Sequence, residues 1–532
     1  MSRNQLSGLS LFSACLLSLP WLGILSGWIL LVALVPLLIV EDHLSSQKGK
    51  YASIVFFGYG YLCFLLWNVL CTWWIIHATI TGAILVTFLN AAFMATVWWL
   101  FHLMKRRFRL LGNLSLIVFW ISFEYLHYNW EIQWPWLTLG NGFANDVKLI
   151  QWYEYTGVLG GTLWILIANL LCFRIYMRFI AAERKKAAEL LFLLILILSV
   201  PAFWSVQKYM TYKEDGRSFE IVLLQPNIDP YSEKFDKMAK MKQMRILTRL
   251  TDSLTKASTD IVLGPETVLP GGMWETDSMT RNPYVEPFYE RSLRYPNVRF
   301  ILGATTFFRF REEEKSSSAR FNTIDSTWYD AFNSALQIDN TGKVQVYHKS
   351  ILVPGVEKMP FARYFSFLEK YIIDLGGIAV SLGSQGEPSV FTGIGVQTIP
   401  VICYESVFGE YLTGAVKKGG ELFFIMTNDG WWKNTPGYRQ HLSFARLRAI
   451  ETRRSVARSA NTGISALINQ RGDVMQQTKW WQRTALRGNL QANDKLTFYV
   501  RYGDYIGRVV TFMAVLLLLY YLSSSLTAKL KN

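Results

Sequence analysis

Apolar stretches of bilayer-spanning length recur near residues 8–22, 23–40, 51–76, 82–104, 114–130, 151–173, 187–205 and 507–526, and a run of about 20 such residues is the signature of a membrane-crossing helix. The first two are separated only by a turn around Pro20. Together they exceed one crossing of roughly 20 residues, so the pattern predicts two helices there and about eight spans in all. The polarity is equally uneven. Residues 1–205 hold 14 of the 20 tryptophans but only 8 of the 39 acidic residues, so two solvents are written into one chain. Disorder, a coiled coil and a disulfide-rich secreted module are excluded by the same distribution.

A formal charge of +15 invites a nucleic-acid reading, because Lys and Arg clusters neutralise phosphates. Their positions decide against it. Lys105, Arg106, Arg107 and Arg109, then Arg184, Lys185 and Lys186, fill short gaps between apolar runs, where such residues orient a membrane protein. Alternating the gaps puts these, with Arg3, Lys48, Lys50, Arg174, Arg178, Lys529 and Lys531, on one side and Lys148 alone on the other. By the positive-inside rule both termini are expected in the cytoplasm and the long polar segment on the opposite, periplasmic face of a bacterial inner membrane. The first apolar region is too long for a removable signal peptide.

The expected organisation is an N-terminal bundle of about seven spans over 1–217, a polar domain over 218–498, and a C-terminal span and tail over 499–532. Within the polar domain, short β-like bursts predict strands at Ile221–Leu224, Ile261–Leu263, Arg299–Gly303, Thr327–Ile338, Gly342–Tyr347, Val396–Cys403, Glu421–Thr427 and Gly463–Asn469, with helices over Lys237–Ser258 and His441–Arg454. Asp339-Asn340-Thr341-Gly342 is a hairpin turn signal. A mixed α/β domain with a substantial sheet follows.

Three residues stand just after strand-like runs. Glu266 follows Ile261 to Pro265, Lys349 follows Val344 to His348, and Cys403 ends Ile399 to Ile402. Strand ends are where open α/β sheets gather ligands, and a carboxylate, an ammonium and a thiol supply a base, an oxyanion stabiliser and a nucleophile. Each alone is ordinarily a solvated or a buried structural residue; the combination carries the weight. Cys403 is also the only cysteine of the polar domain, the other four lying in spans, which marks it as an unpaired thiol in an oxidising compartment.

The flanks make the combination specific. Gly264-Pro265-Glu266-Thr267, Tyr347-His348-Lys349 with Leu352-Val353-Pro354 and Glu357, Ile402-Cys403-Tyr404-Glu405, Asn428-Asp429-Gly430-Trp431-Trp432, His441, Arg446 and Arg458-Ser459-Ala460-Asn461-Thr462-Gly463 resemble the nitrilase superfamily. With the spans, the chain resembles its membrane-embedded apolipoprotein N-acyltransferase branch. That resemblance implies a four-layer α/β/β/α domain outside the cytoplasm, catalysis by Glu266, Lys349 and Cys403, and transfer of an acyl chain from a phospholipid through a Cys thioester. The acceptor it implies is the N-terminal amine of a diacylglyceryl-cysteine apolipoprotein; the rival is a membrane-tethered amidase that uses water. A tether needs only one span, whereas eight suit presentation of lipid. Glu357 is expected to orient Lys349 or the amine, and Glu405 to position the cysteine loop or the lipid, each against the alternative of a structural ion pair. Phe235, Tyr404, Trp431 and Trp432 are the candidate lining residues, although aromatics beside a membrane also serve as anchors.

Two departures from the family stand out. This chain reads Pro354-Gly355-Val356-Glu357 where the family usually has Pro-Phe-Gly-Glu, and Lys234 is followed by Phe235 where the family commonly has a tryptophan. No metal or cofactor is expected, since His is scarce and the Gly-rich stretches lack a phosphate-binding pattern. A transporter is disfavoured because ionisable residues within spans are few, Glu124 and Glu154 being the main ones, and no repeat symmetry is visible. Arg446 and Arg453, seven apart, are expected on one helix face in surface ion pairs. A monomer is the default expectation.

Overall fold

The computed structural model describes residues 1–46, 52–108, 111–229, 239–323, 325–361, 381–393 and 395–530. The chain forms two compact units. Residues 1–76, 82–211 and 502–532 make a helical unit, and 77–81 with 212–501 make an α/β unit.

In the helical unit, six segments are long and apolar enough to cross a membrane: Gly27–Ser45, Ser53–His77, Ile80–Arg107, Tyr153–Ile180, Arg184–Thr211 and Tyr505–Ser525. Two further apolar runs of the sequence also form helices, Arg3–Ser18 and Gly112–Asn129. The first has 16 residues, about 24 Å at a rise of 1.5 Å per residue, short of the hydrocarbon thickness. The second is diluted by Asn113, Glu124, His127 and Asn129. The buried carboxylates Glu41, Glu124 and Glu154 inside this unit are paired, as a low-dielectric setting demands. Glu124 is buried and accepts hydrogen bonds from Trp120 Nε1 (2.9 Å), Leu139 N (2.8 Å) and Thr162 Oγ1 (2.6 Å), so it ties neighbouring segments together. Glu41, not singled out in the sequence, is fully buried and meets His102 Nδ1 at 2.9 Å and Lys105 Nζ.

The α/β unit contains an eight-stranded and a five-stranded sheet. The strands of the larger are β1 (Ser218–Gln225), β2 (Ile261–Leu263), β3 (Gly272–Trp274), β4 (Arg299–Phe310), β5 (Arg320–Asn322), β6 (Thr327–Ile338), β7 (Gln345–His348) and β13 (Thr484–Gln491), in the order β13-β1-β2-β4-β6-β5 with β3 on β4 and β7 on β6. The smaller runs β12-β11-β10-β9-β8, from β8 (Thr398–Ile402), β9 (Leu422–Thr427), β10 (Ser455–Ala460), β11 (Ala466–Ile468) and β12 (Val474–Gln477).

Alternation along the strands sets the layers. Ile221 and Leu223 of β1, Ile261 and Leu263 of β2, Phe424 and Met426 of β9 and Ala457 of β10 pack into one core shared by both sheets. Their neighbours Val222, Leu224 and Val262 face outward onto Met244 and Leu247 of the helix Ala239–Leu254. Phe423, Ile425 and Val456 do the same on the other side, against Leu412 of Gly409–Lys417 and Ala445 and Ala449 of Pro436–Thr452. Strands buried on both faces read as continuous apolar runs. The result is an α/β/β/α sandwich. The Asp339 turn forms as expected: β6 and β7 pair antiparallel, Gln337 opposite Gln345, with Gly342 at φ 78°. One expectation is corrected. The helix ends at Thr452, and Arg453 is its left-handed C-cap (φ 53°), buried with its guanidinium 4.6 Å from the Tyr212 ring centre and donating to Gln470 O. Arg446 donates to Gly472 O at 2.9 Å. Arg453 is thus buried beyond the helix end rather than on the exposed helix face expected.

Candidate active site

Parallel strands β8, β9 and β10 in one sheet, and β1, β2 and β4 in the other, bring carboxyl ends together, the place where α/β sheets leave a crevice. Cys403 is the first residue after β8 and sits at φ 51°. A left-handed, β-adjacent turn is costly for a side chain bearing a Cβ, and such strain persists where surrounding contacts enforce it. It projects the thiol out of the strand. Thr427 Oγ1, at the end of neighbouring β9, lies 3.5 Å from Sγ.

Glu266 leaves β2 through Gly264-Pro265. Gly264 N donates to Ile301 O at 2.8 Å, Gly303 N to Pro265 O at 3.2 Å, and Thr267 takes φ 45°. The loop therefore crosses directly over Gly303 of β4. A Cβ there would lie 2.5 Å from both Pro265 O and Thr267 N and 2.8 Å from Glu266 Cα, all backbone atoms that yield poorly. Gly303→Ala is expected to lower stability by about 1–3 kcal/mol and to reduce turnover by displacing Glu266. Thermal midpoints and rates on the same preparation check this; an unaltered rate sinks it.

Lys349 follows β7, its N–H donating to Asn333 O at 2.8 Å. Its side chain is 1% exposed, with Nζ 2.8 Å from Glu357 Oε2 and 3.5 Å from Glu266 Oε1. Burial alone lowers an ammonium's pKa. Here Glu357 first, then Glu266 and Cys403, outweigh that and hold Lys349 above its ordinary value. Opposite forces act on the thiol. Burial pushes Cys403 up, Glu266 adds to this, and Lys349 opposes it. The resting group is thus a thiol beside a carboxylate, which requires a general base at the moment of attack.

The structure therefore brings Glu266, Lys349 and Cys403 into one electrostatically coupled cluster, with Glu357 against the ammonium. The altered loop does not disturb this. Gly355 carries the turn at φ 78° with its N–H on Lys358 O (2.7 Å), and Glu357 Oε2 accepts from Val353 N at 2.9 Å. Glu405 is fully buried and spans two loops, accepting from Ile402 N (2.7 Å) on one side and from Ser350 N (2.7 Å) and Tyr347 OH (2.6 Å) on the other. It fixes the nucleophile turn relative to the lysine turn. Burial pushes Glu405 up to about 7 against the lowering effect of these donors. A carboxyl whose pKa is raised on folding contributes stability below its unfolded value, and loses it as pH climbs through the folded value. Between about pH 4.5 and 7 the loss is on the order of 3 kcal/mol. Unfolding midpoints of the wild type are expected to drop across that window, and those of Glu405→Gln to drop less.

Tyr404 is buried with its ring 5.1 Å from Phe408. Trp431 and Trp432 are half-buried, and Trp432 meets the His441 ring edge-on at 5.5 Å. Phe235 lies outside the described residues. One participant escaped the sequence reading. Asn333 Nδ2 donates to Glu266 Oε1 (2.7 Å) and Glu357 Oε1 (3.2 Å), so a single amide spaces the two carboxylates. Its signal was the set of polar residues Asp330, Asn333, Ser334 and Gln337 among the apolar residues of β6, all four of them buried.

Residues 13–171 match the family described as apolipoprotein N-acyltransferase N-terminal domain, and residues 223–494 match carbon-nitrogen hydrolase. A protein of Chlorobaculum tepidum named apolipoprotein N-acyltransferase is 29% identical over 90% of this chain and 89% of its own length. One of the same name from Thermotoga maritima is 27% identical over 95% and 92%. Among solved structures, a CN-hydrolase superfamily protein from Xanthomonas campestris covers 51% of this chain and 90% of its own, at 16% identity and a TM-score of 0.35. With the hydrolase match alone spanning just over half of the 532 residues, the chain belongs to the carbon-nitrogen hydrolase family, in the branch that carries the apolipoprotein N-acyltransferase N-terminal domain.

Proposed function

We propose that this protein is an apolipoprotein N-acyltransferase: it moves a fatty acyl chain from a phospholipid to the N-terminal amine of a diacylated lipoprotein. One observation carries the reading. A Glu266–Lys349–Cys403 cluster of nitrilase type stands in the same chain as helices long enough to cross a membrane, and both parts match their family models. A soluble amidase has no use for such helices.

In the first half-reaction Glu266 takes the Cys403 proton and the thiolate attacks the ester carbonyl. Lys349, kept charged by Glu357, stabilises the tetrahedral oxyanion. Collapse expels the lysophospholipid alkoxide, which takes the proton from Glu266, and leaves a thioester. In the second, Glu266 removes a proton from the incoming amine, the amine attacks the thioester, and the expelled thiolate recovers that proton. The product is an amide and the kinetics are ping-pong. Glu357 orients the ammonium, and Glu405 acts through the two turns it joins. Trp431, Trp432, Tyr404 and Phe235 are assigned to the lipid path.

The charge asymmetry of the short loops supports a bacterial inner-membrane location with both termini cytoplasmic and the α/β unit periplasmic; the protein acts as a monomer. Incubation of purified protein with labelled phospholipid and a diacylated lipopeptide tests the activity. Triacylated peptide is the expected product, and free fatty acid without it would favour a hydrolase.

A further inference from the structure

Behind the nucleophile lies a buried polar chain that the acyl-transfer steps do not use. His441, on the helix Pro436–Thr452, is 1% exposed. Its Nε2 is 3.1 Å from Cys403 O and 2.9 Å from Ser406 Oγ. Ser406 Oγ also donates to Cys403 O at 2.7 Å. A carbonyl has no proton to give, and the Ser406 hydrogen is already spent on it, so Nε2 carries the ring hydrogen facing this pair. On its other side Nδ1 lies 3.0 Å from Asp429 Oδ1, and Asp429 Oδ2 accepts from Arg458 at 2.6 Å. Thr427 Oγ1 donates to Asp429 Oδ1 at 2.7 Å and touches Cys403 Sγ. Ser406, His441 and Asp429 have the contacts of a hydrolytic triad, yet all three are buried and the serine hydrogen points to a backbone oxygen.

We infer that His441 is a positioning residue for the nucleophile: with Ser406 it holds the Cys403 carbonyl, and so the left-handed backbone that aims Sγ, while Asp429 and Arg458 hold the imidazole. The left-handed φ of Cys403 needs an anchor, and two donors converging on one carbonyl supply it. Asp429 cannot drift, because Arg458 and His441 keep it charged, well below the usual carboxylate range despite burial. This inference rests on Cys403 being the nucleophile. It goes further in assigning the aim of the thiol to a side chain that touches neither substrate.

The test is single-turnover acylation of full-length protein in detergent, followed by intact mass after mixing with phospholipid, for wild type, Cys403→Ala, His441→Ala, His441→Gln and Ser406→Ala. His441→Ala is expected to slow acylation roughly 10- to 100-fold at saturating phospholipid, the scale of a misplaced reacting atom, with the half-saturating phospholipid concentration unchanged. Glutamine places an N–H donor where Nε2 stands and should restore most of the rate; Ser406→Ala should show a milder loss of the same kind. A wild-type rate in His441→Ala overturns the inference. So does a slow rate that glutamine does not rescue, or a loss expressed in half-saturation rather than rate. Acyl adduct on Cys403→Ala overturns instead the assignment of the nucleophile, so the two failures are distinguishable.

Discussion

Cys403→Ser is expected to abolish measurable turnover while leaving the fold intact. Serine is nearly isosteric, so the turn at φ 51° and the carbonyl contacts from His441 and Ser406 have no reason to change. The chemistry does change. Glu266 must then take a proton from an alcohol, whose pKa lies far above that of a thiol, and the loss of an activated nucleophile typically costs several powers of ten. Intact mass supplies the direct readout: after exposure to phospholipid, wild type gains one fatty acyl group and the variant none. A serine variant that turns over normally would remove Cys403 from the mechanism altogether.

Lys349→Met carries the second large effect, and it acts twice. The ammonium is the charge nearest both Glu266 and Glu357, and deletion of an oxyanion donor typically lowers the rate on the order of a hundredfold or more. Deletion also strands the buried Glu266 and the half-buried Glu357 carboxylates with only the Asn333 amide between them. Breaking a buried ion pair by removing one partner destabilises by about 3–5 kcal/mol. Turnover and thermal midpoint should therefore fall together. Lys349→Arg is not expected to rescue, because a planar guanidinium is larger and forks where the ammonium is compact. Full activity in the methionine variant would mean that the oxyanion is held by other groups.

Much of the fold was legible. All eight predicted strands appear; most are apolar runs buried on both faces, whereas β7 is largely half-buried and β6 carries buried polar residues. The missing ones are instructive. Strand β10, Ser455–Ala460, carries Arg458 and two serines, yet every residue in it is buried; the arginine is neutralised by Asp429, more than 25 positions away in sequence. Strand β13 reads as polar because all of it but Leu490 is half-buried or exposed. Among spans, six helices have the length and composition of a crossing, while Arg3–Ser18 has 16 residues and Gly112–Asn129 is interrupted by Asn113, Glu124 and His127.

By itself the sequence determined which residues carry chemistry and that they stand at strand ends, since residue type and local periodicity are properties of the chain. Only the tertiary structure decided how those groups are tuned. The Glu357 contact that keeps Lys349 charged, the Asn333 amide between two carboxylates, the Glu405 bridge and the His441 anchor all join residues distant along the chain. Electrostatic and hydrogen-bond energies depend on ångström separations and on burial, and neither quantity exists until the two sheets have closed on each other.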